Sequence, residues 1–129
     1  MANHYEYELQ KAVSMYLKLQ HPDILFMSDT VANLMLTEGQ KKRNKAIQKQ
    51  GFQCPDVLIF KPNKTFHGLF IELKAKTIYK KDGVTLLKNE HVEGQQETIN
   101  DLLKLGYHAQ FCIGFDESKK VIDWYLNLE

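Results

Sequence analysis

Between residues 4 and 19, Leu9, Ala12, Val13, Tyr16 and Leu17 recur at three- and four-residue intervals, which predicts an opening amphipathic helix. Glu6, Gln10, Val13 and Leu17 trace a neighbouring line on the same surface. His21-Pro22-Asp23 ends the helix, because proline cannot continue it, and Ile24-Leu25-Phe26-Met27 predicts a short buried strand. Ser28-Asp29-Thr30 reads as a turn or cap, and residues 31–36 are apolar without a clear period, fitting either a helix or a packed loop. Two further apolar runs, Val57-Leu58-Ile59-Phe60 and Leu69-Phe70-Ile71, flank the turn-forming Lys61-Pro62-Asn63-Lys64 and predict an antiparallel hairpin. Residues 95–105 read as a helix with Ile99, Leu102 and Leu103 apolar and Gly106 as its stop. A last strand over 109–114 and a closing helix over 117–128, striped by Val121, Ile122, Tyr125 and Leu126, complete the pattern. Trp124 falls one position off that stripe and either widens the core contact or faces a second subunit.

Helix, strand, irregular basic segment, hairpin, helix, strand, helix is the element string of an α/β sandwich around a small mixed sheet. Its 129 residues suit a single domain over 1–129 with one core. Hydrophobic residues at 43% and charged residues at 26% exclude a wholly disordered chain. No apolar run approaches the roughly 20 residues that cross a bilayer, and Met1-Ala2-Asn3-His4 lacks a signal-peptide core, so a soluble, cytoplasmic protein with no membrane partner is expected. Cys54 and Cys112 have neither zinc-site nor disulfide-framework spacing and are expected reduced and buried. Seventeen Lys and Arg against sixteen Asp and Glu give no global case for nucleic acid, only a local one.

That local case has two parts. Lys41, Lys42, Arg43, Lys45 and Lys49 crowd residues 37–50, where only Ala46 and Ile47 are apolar, and Gly51 follows as the expected helix C-cap. The segment is either a phosphate grip, salt-dependent and blind to base sequence, or a solvated helix face or loop. Lys76, Lys80 and Lys81 form a second basic group around the turn-like Asp82-Gly83, with Tyr79 placed either to stack on a base or to pack.

The candidate chemistry sits at the open end of the hairpin. Asp56 stands at the mouth of its first strand, and Glu72 and Lys74, two apart on the second, project together with Leu73 buried behind them. Two carboxylates and an ammonium lose hydration there unless a partner replaces it. Asp56, Glu72 and the backbone carbonyl of Leu73 would offer a divalent cation an all-oxygen set suited to Mg²⁺ or Mn²⁺, with Lys74 placed to orient water or steady charge on a phosphate. The alternative is an exposed ion pair at a strand end. Glu6 either faces this site, binding directly or through water, or is an early-turn acid favoured by the helix dipole. The Gln95 amide, near its helix start, is expected to reach back either to the carboxylates or to a scissile phosphate, while His91 reads as an incidental loop residue and Cys54 lacks a base to make it a nucleophile.

Pro55-Asp56 followed by Glu72-Leu73-Lys74 resembles the PD-(D/E)xK nuclease core. Glu6-Tyr7-Glu8-Leu9-Gln10, Gly51-Phe52-Gln53-Cys54 before Pro55, and Gly94-Gln95-Gln96 leading to Gly106-Tyr107 resemble its VRR-NUC branch, in family order over most of the chain. The branch includes phage proteins and a structure-specific DNA-repair nuclease. The resemblance implies a restriction-endonuclease-like fold and Mg²⁺-dependent DNA hydrolysis by Asp56, Glu72 and Lys74, supported by Glu6 in preference to Glu8 and by Gln95 in preference to Gln96. It further implies branched DNA, a four-way junction or flap, as substrate, a homodimer, and for a phage or prophage gene a bacterial host cell. Gln53-Cys54 departs from the residues frequent before that proline. Two rival expectations stand beside it: a DNA-binding module that keeps the fold without activity, and a hydrolase acting on RNA or a small phosphorylated compound.

Overall fold

A computed structural model describes residues 4–29 and 35–129. Along them run α1 (His4–Gln20), β1 (Phe26–Ser28), α2 (Glu38–Ile47), β2 (Val57–Ile59), β3 (Leu69–Lys74), α3 (Glu90–Lys104), β4 (His108–Ile113) and α4 (Gly114–Leu126). The strands form one mixed sheet in the order β1-β2-β3-β4. β1 pairs antiparallel with β2, β2 antiparallel with β3, and β4 returns parallel to β3 through the α3 crossover.

Alternation along β3 sorts the two layers, since successive strand side chains point to opposite faces. Leu69, Ile71 and Leu73 join Val57, Ile59 and Cys112 under α1 and α4, where Leu9, Val13, Leu17, Ile122 and Tyr125 close the larger core. Phe70, on the other face, packs with Ala109 and Phe111 beneath Val92, Ile99 and Leu102 of α3. Burying each such Leu or Ile is worth about 1.5–3 kcal/mol, so the paired layers fix where the C-terminal end of β3 lies. The α/β sandwich with its small mixed sheet is the architecture expected from the sequence.

Several elements differ from expectation for identifiable reasons. β1 is an edge strand rather than a buried one: Leu25 is 71% exposed and Met27 52%, because only one neighbour pairs with it. The basic segment is a regular helix, closed by a capping box in which Thr37 Oγ1 accepts from Gln40 N–H and Gln40 Oε1 accepts from Thr37 N–H. Its C-cap is Gln48, and Gly51, at φ +82°, serves the later turn instead. α3 begins at Glu90, ahead of the expected Gln95, because Asn89 caps it by accepting from Val92 N–H. α4 likewise starts early, at Gly114, whose φ of +81° breaks the strand while the Glu117 carboxylate accepts from Ile113 N–H. The hairpin connection spans residues 60–68, ordered by Asn63 Oδ1 accepting from Thr65 and Phe66 N–H. Leu103 and Ala12 face solvent, and buried Thr98 and Gln10 take core positions. Cys112 is buried but Cys54 is only half-buried, and both are free thiols. The expected turn or cap at Thr30 and the apolar stretch over 31–34 lie outside the described residues.

Candidate active site

The β2–β3 register, Val57 opposite Ile71, carried one residue outward sets Asp56 against Glu72. Asp56 Oδ2 accepts from Leu73 N–H at 2.8 Å, and the two carboxyls lie within hydrogen-bonding reach of each other. Two hydrogen bonds hold the backbone of this segment: Gln10 Nε2 donates to the Asp56 carbonyl at 3.1 Å and to the Asp29 carbonyl at 2.8 Å. Asp29 N–H also donates to the Asp56 carbonyl at 2.8 Å. Gln10 is buried, so α1 is tied to the acid at the start of β2 by a group that has little other reason to leave water.

Glu72 and Lys74 project to the α3 face at 6% and 8% exposure. They are not an exposed strand-end pair, and Lys74 makes no ion pair of 4.0 Å or less among the described residues. From α3, Gln95 Nε2 donates to Glu72 Oε1 at 2.7 Å and lies 3.1 Å from His91 Nε2. His91, read from sequence as an incidental loop residue, is therefore in the first turn of α3 and steadies the glutamine. Gln53 N–H donates to buried Thr98 Oγ1, and the Gln53 side chain lies over Gly94, where an added Cβ would come within 2.4 Å of Gln53 Nε2. A glycine at 94 thus lets the segment leading into Asp56 lie directly on α3.

Electrostatically the site is unfinished. Burial, then the charge of Asp56, pushes Glu72 up to about 9, with Lys74 opposing and Glu6 adding to the rise. Burial also raises Asp56, against the lowering effect of the Leu73 N–H. Glu6 is therefore near enough to be felt by both acids. Even so, among the described residues no three His, Cys, Asp or Glu side chains form a metal-holding group. Cys54 is pushed up to about 11 by burial and by Asp29, Glu72 and Asp56, which keeps it a thiol.

The residues present fit a hard divalent cation. Gln95 Oε1 is buried with no hydrogen-bond partner among the described residues, two carboxyls crowd together where only one ionises readily, and both carboxyls offer oxygen ligands. Two protein carboxylates suit Mg²⁺, which keeps several water ligands, better than a fully protein-built cage.

Of the other expected residues, Lys41, Lys42, Arg43 and Lys45 are exposed on α2, which buries no side chain, and Lys41 pairs with Glu38 at 3.6 Å. Lys76 and Lys80 are exposed beyond β3. Tyr79 is half-buried against the smaller core and pairs across to Leu86, a packing role. Sequence reasoning placed Gln10 on the right line of α1 without giving it a task. The signal was a glutamine one helical turn after Glu6 on an otherwise apolar stripe.

Compared by sequence, the chain matches no family model and no curated protein. A solved structure described as a VRR_NUC domain protein matches it with a TM-score of 0.62 at 27% identity, over 96% of this chain and 89% of that one. This likeness supports membership of the VRR-NUC family. Its mixed four-stranded sheet and flanking helices match the VRR-NUC nuclease-like fold, with Glu72 toward the C-terminal end of β3 and Asp56 just before β2. Among the described residues no helix is long and apolar enough to cross a membrane.

Proposed function

We propose that this protein is a metal-dependent DNA endonuclease that hydrolyses phosphodiester bonds in branched DNA, four-way junctions or flaps. The observation that carries the reading is the juxtaposition of half-buried Asp56 and buried Glu72 beside a buried Lys74 that, among the described residues, has no ion-pair partner within 4.0 Å. A bound Mg²⁺ or Mn²⁺ would supply Lewis-acid stabilisation of the phosphoryl oxygens and a water of lowered pKa. Asp56 and Glu72 would hold it, with the Leu73 carbonyl as the expected third protein ligand and Glu6 facing the pair through water. Gln95, braced by His91, fixes the rotamer of Glu72. Lys74 brings positive charge to the side of the phosphate where negative charge grows. Gln10 and the Gln53–Thr98 contact keep the Asp56 segment from drifting away from β3. Lys41, Lys42, Arg43, Lys45, Lys76 and Lys80 supply exposed charge for the DNA backbone, and a homodimer would set two such sites across one junction.

Cleavage of labelled four-way junctions, flaps, duplex, single strands and RNA in Mg²⁺ tests the reading, with Asp56→Ala and Lys74→Ala as controls. Junction or flap cutting that vanishes in both variants is the expected result. Binding without cutting by the parent protein would make it an inactive DNA-binding module, and cutting confined to RNA would move the substrate class.

A further inference from the structure

A cavity of about 500 Å³ opens at the same end of the sheet, lined by Tyr5, Leu9, Ala75, Lys76 and Gly114. Its position follows from the fold. Lys74 pairs with Ile113, so Ala75 and Gly114 are the residues that follow directly on the ends of the paired strands β3 and β4, and Tyr5 and Leu9 stand one turn apart on α1, each beside a residue of the site, Glu6 and Gln10. The chemistry of its walls is uneven in an informative way. Leu9 and Ala75 give an apolar floor, Tyr5 offers a ring that is 73% exposed, and Lys76 places a cation at the rim two residues after Lys74. On the Gly114 side a Cβ would meet nothing within 4 Å, so the wall there is backbone with open space before it.

We infer that this cavity receives an unpaired nucleobase of the DNA strand next to the scissile phosphate. The inference rests on the nuclease reading above and names the feature of the substrate that the site would select. The volume lies within the range of small-molecule sites, about 300–1,000 Å³. An apolar floor with one aromatic ring accepts the face of any base without reading its sequence, and the Lys76 ammonium meets the phosphate of the same nucleotide. A paired base stays in its stack and cannot enter. A substrate with an unpaired nucleotide at a branch, bulge or nick therefore gains a contact that plain duplex lacks.

The test uses the full chain and duplexes carrying 2-aminopurine, unpaired in a one-nucleotide bulge or fully paired, in Ca²⁺ with binding read by anisotropy and base environment by fluorescence. The parent protein should change the fluorescence of the unpaired probe and leave the paired probe unchanged. Tyr5→Ala should abolish that change and weaken binding to bulged DNA about tenfold, with binding to paired duplex altered less than twofold. Tyr5→Phe should restore both. Ala75→Met, which narrows the cavity from its floor, should repeat the Tyr5→Ala result with an unaltered melting temperature. Equal weakening on both DNAs, or no effect of either variant, overturns the inference. Cleavage of the same DNAs in Mg²⁺ is scored separately: no cutting by the parent protein would remove the nuclease reading while the fluorescence still reports on the cavity.

Discussion

Two acid-centred clusters lie at opposite ends of α1, and they are built on opposite principles. At its C-terminal end Asp123 accepts from Tyr16 O–H at 2.5 Å, has His21 Nε2 at 3.3 Å and pairs with Lys119 at 3.5 Å. Burial works against its charge, yet these donors and the Lys119 ammonium hold it below the usual carboxylate range. At the N-terminal end Asp56 and Glu72 face each other and both are raised. An acid surrounded by protein donors is finished and serves to fasten α1 to α4. An acid whose neighbour is another acid is instead held toward its protonated form.

The sharpest way to break this contrast is to remove one acid from each cluster. Asp56→Ala or Glu72→Ala should lower junction cleavage in Mg²⁺ by about a thousandfold or more, since a lost metal site forfeits several kcal/mol of transition-state stabilisation. Manganese titration by calorimetry should lose its binding isotherm in the same variants. A variant that still cuts at near-parental rate would place the chemistry elsewhere.

The pH response of metal-free protein should differ in sign between the clusters. Glu72, at about 9 when folded against an ordinary 4.5, keeps its proton in the folded state while the unfolded chain releases it. Its contribution is complete below the ordinary value and is lost as pH climbs toward about 9. Melting temperature in EDTA should fall over that interval, and Glu72→Gln should flatten the curve. Asp123, depressed from 3.8, works the other way, its contribution present above that value and lost as pH falls through the lower folded one. A rising or flat EDTA curve for the parent protein would show that the carboxyl pair is not coupled.

Asp123→Ala should cost about 1 kcal/mol, discounted because its side chain is 35% exposed. Urea unfolding would measure it, and cleavage per folded molecule should stay within twofold. The smallest effect belongs to α2. Lys42→Ala should weaken DNA binding evenly across sequences and lower the salt slope by about one, and an unchanged slope would mean that this face of the helix does not touch phosphate.

Much of the site was legible because strand alternation is a short-range rule. Glu72 and Lys74 two apart, with Asp56 at the mouth of the partner strand, place themselves once a hairpin is recognised. What escaped depended on long-range contacts. Gln10 reaches across 46 residues to the Asp56 carbonyl, and nothing in its local pattern names that partner. Thr98 and Gly94 acquire meaning only when Gln53 lies against α3. The start of α3 was missed because Gly94 obscured an earlier cap at Asn89, and the early start of α4 because a glycine at φ +81° reads as strand or turn from sequence alone. The extent of α2 was obscured by its composition: a helix with no buried side chain leaves no hydrophobic period to detect.

The parallel return of β4 onto β3 has a consequence for biosynthesis. A ribosome-bound chain can form the hairpin early, but Glu72 gains its second flanking strand only after residue 113 has emerged, and the layer over the other face only with α4. Prematurely terminated translation products therefore carry the acids without the architecture that aligns them.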